Sequence, residues 1–208
     1  MKIIIADLNQ KFIDFVLHFK EVHYFKHTHN IYAFHGGFEN ISYSNSVSCM
    51  IGAGNSFGAL TGGVDLAIRN YFGQDLENLL QKTILDDYLG ELPVGSALVI
   101  PTSHKDIPYL CYSPTMRTPK VLDTKDITYT ATWAALTSIH RFNKNLDIPI
   151  DTIILPGMGT GTGKVPVEKA AAQMVYAVEQ FFRVINGEVD GISMGYGLHI
   201  EKVLNQTY

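Results

Sequence analysis

Two glycine-rich stretches carry the residue types that could do chemistry. The first is Gly52-Ala53-Gly54-Asn55-Ser56-Phe57-Gly58-Ala59-Leu60-Thr61-Gly62-Gly63-Val64-Asp65, and the second is Pro156-Gly157-Met158-Gly159-Thr160-Gly161-Thr162-Gly163-Lys164-Val165-Pro166. Each follows a short apolar run and leads into a segment of helical period, so each reads as a loop at the carboxyl end of a strand, where open α/β sheets place ligands. Glycine allows positive φ and, lacking a Cβ, lets backbone N–H groups approach phosphate oxygens. The helix start beyond each loop adds partial positive charge. Two such loops facing one another would clamp a diphosphate without Arg or Lys. Either loop alone reads equally as a tight turn with no ligand, and the pair is the stronger signal. Neither closes on Gly-Lys-Ser/Thr, and Asp7-Leu8-Asn9 follows the first strand where a dinucleotide fold would place its glycines. Ordinary ATPases and dehydrogenases are therefore disfavoured.

Individual side chains admit a chemical and a plainer reading. A carboxylate such as Asp65 beside an anomeric carbon can orient water and stabilise developing positive charge, and the same Asp in a first helical turn simply complements the dipole. Asn55 can donate to a ribose hydroxyl or cap neighbouring amides in its own turn. Phe57, inside the first loop, is either a stacking ring or ordinary packing. Arg117 suits a phosphate or a surface ion pair. His23, His27 and His29 would share one face of a strand, yet no Cys or acidic partner lies within that segment, which favours a solvated face over a metal site.

The elements that must position these groups alternate between strand and helix character, the mark of a mainly parallel sheet covered by helices. Lys2 to Ala6 reads as a strand and 9–20 as a helix, with Phe12, Phe15, Val16 and Phe19 at helical spacing. Strands are expected at 22–25, 31–34, 47–51, 97–100, 109–112 and 153–155, that at 47–51 being central. Helices are expected over a stripe from Val64 to Leu80 interrupted near Gly73 and continuing to Tyr88, over 127–142, and over 167–184. From Asn186 onward a glycine-bearing loop and a short element at 198–204 are expected. No linker divides the chain, so residues 1–208 read as one domain.

Composition narrows the function. The 208 residues are 46% hydrophobic and 17% charged with a formal charge of −4, which argues against nucleic acid as a partner, since non-specific binding needs many cationic contacts to phosphate. Cys49 and Cys111 lie in apolar, strand-like runs and suit buried thiols in a reducing compartment. The first residues carry only four apolar positions before Asp7, and no run approaches the ~18 apolar residues of a membrane span. A cytoplasmic protein with no membrane partner is expected.

Residues 51–68 resemble the macro-domain signature, an Asn-Ala-Ala-Asn turn followed by a glycine run and Val-Asp, and 155–166 resemble that family's second, distal-phosphate loop. Gly90-Glu91-Leu92-Pro93-Val94-Gly95-Ser96-Ala97 resembles its turn into the next strand, and Ser113-Pro114-Thr115-Met116-Arg117 a segment of a phage and bacterial branch. The resemblance implies a three-layer α/β/α sandwich with a mixed, mostly parallel central sheet and an ADP-ribose cleft across the strand ends. It implies a catalytic pair, Asn55 at the distal ribose and Asp65 near the attacking water, ten residues apart as in hydrolytic members (65 − 55 = 10). Gly52, Ala53, Gly54, Phe57, Gly62, Gly63 and Val64 would line one side of the ligand and Gly157, Gly159, Thr160, Gly161, Thr162 and Gly163 the other. The chain departs from the pattern at Gly52, at Leu60-Thr61, at Gly37 where the family's adenine-binding acid would fall, and at Thr162-Gly163 where its aromatic residue would be. The base side would then fall to Phe38, Glu39 and Asp7. No metal or cofactor is implied; the partners implied are an ADP-ribose-like nucleotide and ADP-ribosylated protein. Three functions remain open: an ADP-ribosyl or ADP-ribose-phosphate hydrolase, a non-catalytic module that reads or sequesters the nucleotide, and a structural part.

Overall fold

A computed structural model describes residues 1–21, 25–42, 46–123 and 126–188. The order of elements is β1 (Lys2–Asp7), α1 (Gln10–Lys20), β2 (Ile31–His35), β3 (Ser48–Gly52), α2 (Gly63–Phe72), α3 (Gln74–Tyr88), β4 (Leu98–Pro101), β5 (Tyr109–Tyr112), α4 (Ile127–Asn143), β6 (Thr152–Pro156) and α5 (Val167–Ile185). Short 3-10 turns occupy Thr28–Asn30 and Phe38–Asn40. The strands form one sheet in the order β2-β1-β6-β3-β5-β4. All neighbours run parallel except β4 and β5. As a result β2, β1, β6, β3 and β5 end on the same edge, in that spatial order.

Side chains alternate across the sheet with the period of two that a strand imposes. Ile3, Ile5, Cys49, Ile51, Cys111, Ile153 and Leu155 face α1, α4 and α5, where they pack with Phe12, Val16, Ala135, Leu136 and Val178. Met50, Leu110, Tyr112 and Ile154 face α2 and α3 and pack with Ile68, Leu80 and Ile84. Both faces are therefore covered, and the interior strands read as near-continuous apolar runs for that reason. Removing a side chain as buried as Ile5 or Leu80, each 0% exposed, is expected to cost ~2–5 kcal/mol. The resulting three-layer sandwich with a mixed, mostly parallel sheet is the architecture the sequence implies.

Local chemistry sets the boundaries. The Asn9 side chain accepts from the Phe12 amide at 3.4 Å and starts α1. Gly73, at φ 94°, ends α2 and begins α3, which is why the helical stripe breaks there. Cys49 and Cys111 are buried free thiols, and burial pushes both up from the ordinary thiol value. Of the strand expected at 22–25, residues 22–24 lie outside the described residues and Phe25 is in no strand; the element expected at 198–204 lies outside them too. Among the described residues no helix is long and apolar enough to cross a membrane.

Candidate functional site

A cavity of about 530 Å³ opens along the strand ends. Every parallel strand contributes to it. Asp7 and Leu8 follow β1, Gly36 to Glu39 follow β2, and Ala53 to Asn55 with Thr61 to Asp65 follow β3. Thr115, Met116 and Pro119 follow β5, and Gly157 with Gly159 to Gly163 follow β6. The two glycine-rich loops, about a hundred residues apart in sequence, thus face one cavity because β3 and β6 are adjacent in the sheet. No Lys or Arg appears among the described residues lining it.

The first loop is held from beneath and from the side. The Tyr112 hydroxyl accepts from the Asn55 amide and donates to the Asn55 carbonyl, both at 3.0 Å. Glu77, a buried carboxylate on α3, accepts from the Leu60 amide at 2.9 Å. The Ser56 amide donates to the Met116 carbonyl at 3.0 Å and the Thr115 amide to the Gly54 carbonyl at 3.0 Å. Held this way, the loop leaves the amides of Gly62, Gly63 and Val64 without a hydrogen-bond partner among the described residues. They are the orphan donors of a helix start.

The second loop is fixed by Asp7 and by the β5–α4 connection. Asp7 accepts from Asn9 N at 2.8 Å and from Gly157 N at 3.2 Å. The Leu122 amide donates to Gly163 O at 2.9 Å. A Cβ on Gly163 would press on Leu122 and come within 2.5 Å of the Gly159 carbonyl, so close backbone packing requires glycine there. The amides of Gly161, Thr162 and Gly163 likewise have no partner among the described residues.

Asn55 and Asp65 both border the cavity, and the Asn55 side chain is committed to its own loop. The Asn55 side-chain amide donates to Ala59 O at 2.8 Å and its oxygen accepts from Phe57 N and Ala59 N. Asp65 is 5% exposed, and its Oδ1 is buried with no hydrogen-bond partner. A Cβ on Gly54 would collide with the Asp65 carboxylate and the Tyr112 hydroxyl, so the carboxyl lies directly behind Gly54. Burial pushes Asp65 up from 3.8 to about 7; the Ala53 amide opposes the shift and the Glu77 charge adds to it.

Of the other expected residues, Ala53, Gly54, Gly62, Gly63, Val64, Gly157, Gly159, Thr160, Gly161, Thr162 and Gly163 line the cavity, as do Asp7, Phe38 and Glu39 at the end belonging to β1 and β2. Two do not. Gly52 is the last residue of β3, packed on the Tyr112 ring. Phe57 is 38% exposed and stands outside the cavity lining, with the Arg117 guanidinium 5.3 Å from its ring. Arg117 itself forms a two-pronged pair with Glu91 at 2.8 and 2.9 Å, which settles its role as a surface ion pair. Asp7 is engaged by backbone amides, and Glu39 is the carboxylate at that end with no hydrogen-bond partner among the described residues.

The sequence pointed to Met116 only as part of the family-like segment 113–117, and to neither Tyr112 nor Pro119 as a site residue. Tyr112 looked like one more apolar strand residue, and only the parallel register of β5 on β3, Gly52 opposite Tyr112, brings its hydroxyl under the loop. His27 is buried, its ring nitrogen 2.8 Å from Glu188, and Glu179 accepts from its amide at 2.7 Å. His23 lies outside the described residues, and among those described no three His, Cys, Asp or Glu side chains gather as a metal site would require.

Known proteins share this fold. A family model described as a macro-like domain matches residues 22–196. An uncharacterised protein of Aquifex aeolicus is 29% identical over 133 residues, 64% of this chain and 73% of that protein. Among solved structures, a mutant macrodomain of Oceanobacillus iheyensis with ADPR superposes with a TM-score of 0.59 at 18% identity, over 71% of this chain and 75% of that one. The macrodomain of Mycobacterium tuberculosis DarG gives 0.54 at 17% identity, over 66% and 85%. A Trypanosoma brucei macrodomain in complex with ADP-ribose gives 0.51 at 16%, over 66% and 53%. At such identities the structures speak for the fold, and the family match, which runs from β2 through α5 and takes in both glycine-rich loops, makes this chain a member of the macro-like domain family.

Proposed function

We propose that the cavity binds ADP-ribose or a closely related NAD-derived nucleotide, and that binding is its primary function. The observation that carries this reading is the set of amides at Gly62, Gly63, Val64, Gly161, Thr162 and Gly163, which have no partner among the described residues and belong to two loops that line one cavity, with no cationic side chain among the described lining. Backbone donors at a helix start and in a glycine turn suit phosphate oxygens. Relatives of this fold include macrodomains with ADPR or ADP-ribose bound. In this reading the base lies at Phe38 and Glu39, and the diphosphate lies between the loops.

Hydrolysis at the far ribose is the second reading, favoured by Asp65, whose carboxyl titrates near neutrality at the cavity's margin. Its position behind Gly54 and the engagement of the Asn55 amide rank this reading second. An ADP-ribosylated protein would be the substrate of such an activity.

Calorimetry against ADP-ribose, its phosphorylated form, NAD, AMP and GDP-ribose tests the first reading, with tightest binding expected for a ligand carrying both the diphosphate and adenine. Absence of heat with every member would overturn it. A release assay on ADP-ribosylated protein, run beside Asp65→Ala, decides the second. Equal, slow release by both proteins would leave a binding module only.

A further inference from the structure

The sheet order β2-β1-β6-β3-β5 gives the cavity a direction. Phe38 and Glu39, a ring and a carboxylate, stand at the β2 end. The amides of the two loops stand over β6 and β3 in the middle. The wall at the β5 end comes from the connection between β5 and α4, through Thr115, Met116 and Pro119.

Met116 is 7% exposed and, with Ile4, Ala172, Tyr176 and Ala177, stands outside the two core clusters on the faces of the sheet. Of these five buried residues, Met116 is the one that lines the cavity. Its backbone is tied to the first loop, pairing with Asn55 and accepting from the Ser56 amide at 3.0 Å. Three residues on, Pro119 lines the same wall while remaining exposed on its other side. The connection then reaches the second loop, where Leu122 N donates to Gly163 O. One segment thus braces both phosphate loops and closes the end of the cavity opposite the base. From Gly157 onward the second loop lines the cavity with glycine and threonine, and Gly161 has open space on its side-chain face.

We infer that Met116 and Pro119 form the apolar wall of the terminal-ribose subsite and are specificity determinants for ligands carrying a sugar beyond the diphosphate. The inference rests on the proposed nucleotide reading and assigns the side chains of its far end. A sugar ring presents C–H faces as well as hydroxyls, and a thioether with an adjacent proline ring gives those faces a dry, adaptable surface.

The test compares ADP with ADP-ribose by calorimetry on the full chain, for wild type, Met116→Ala and Pro119→Ala. Met116→Ala should weaken ADP-ribose binding roughly tenfold and Pro119→Ala severalfold, with ADP affinity held within about twofold, since ADP ends before the wall. Pro119 is exposed, so its variant keeps the test decisive if Met116→Ala fails to fold. Equal weakening of ADP and ADP-ribose, or no weakening of either, would overturn the assignment while leaving the nucleotide reading intact. If wild type binds neither ligand, the nucleotide reading fails and this assignment fails with it.

Discussion

The Tyr112 hydroxyl bonds to both the amide and the carbonyl of Asn55, at 3.0 Å each, although the two residues lie 57 positions apart. One phenol thereby pins the turn of the first loop to the strand beneath it. Tyr112→Phe keeps the ring under Gly52 and removes both bonds, leaving the buried Asn55 amide without its acceptor while the Asn55 carbonyl keeps the Gly58 amide at 3.3 Å. A loss of ~1–3 kcal/mol in unfolding free energy is expected, measured by urea denaturation. The Asn55 amide should also lose protection in hydrogen exchange. Unchanged stability and protection would show that the loop holds itself.

Asp65 makes the fold sensitive to pH. The native state keeps the proton to about pH 7, whereas the unfolded chain releases it near 3.8. Between those values unfolding releases a proton, so the contribution of this group is fully present below about pH 4 and is lost as pH rises towards 7, with a slope of about 1.4 kcal/mol per pH unit at its steepest. Asp65→Asn, which cannot ionise, should gain stability relative to wild type over that interval, and the difference should level off above it. Parallel stability curves for the two proteins from pH 4 to 8 would show that Asp65 ionises freely in the fold.

Glu39 is expected to read the base. A side chain at Gly37 would collide with its carboxylate, so Glu39 occupies the space where an acid at position 37 would project. A carboxylate accepts from the exocyclic amine of adenine and repels the carbonyl edge of hypoxanthine. Wild type should therefore prefer ADP-ribose over its inosine counterpart, and Glu39→Ala should reduce that preference roughly tenfold or more in competition binding, as expected for the ~1.5–3 kcal/mol of a charged hydrogen bond. An unchanged preference would remove Glu39 from base selection.

The sequence makes most of the fold legible because the signals are local. The apolar runs at β1, β3 and β6, the Gly73 break and the helical stripe of α5 each follow from a few neighbouring residues. Both loops are legible for the same reason, although it is the pair, and not either glycine-rich turn alone, that points to a ligand. The base end could be read only by elimination, once Gly37 replaced an acid. Tyr112 and Pro119 gave no signal, and Met116 only its place in a family-like segment after a strand, because each meets the site through strand register or through a connection that crosses the sheet edge. Phe57 misled for a related reason. Its place inside the loop suggested the cavity, but the turn closed by Asn55 and Ala59 aims it outward to Arg117.

The central claim is that two loops offer their amides to one diphosphate. An NMR titration of the amide-labelled protein with ADP-ribose tests it most directly. The account expects the largest shifts, saturating together with a single affinity, at Gly62, Gly63, Val64, Gly161, Thr162 and Gly163. Binding that moves other amides and leaves these six in place would contradict it.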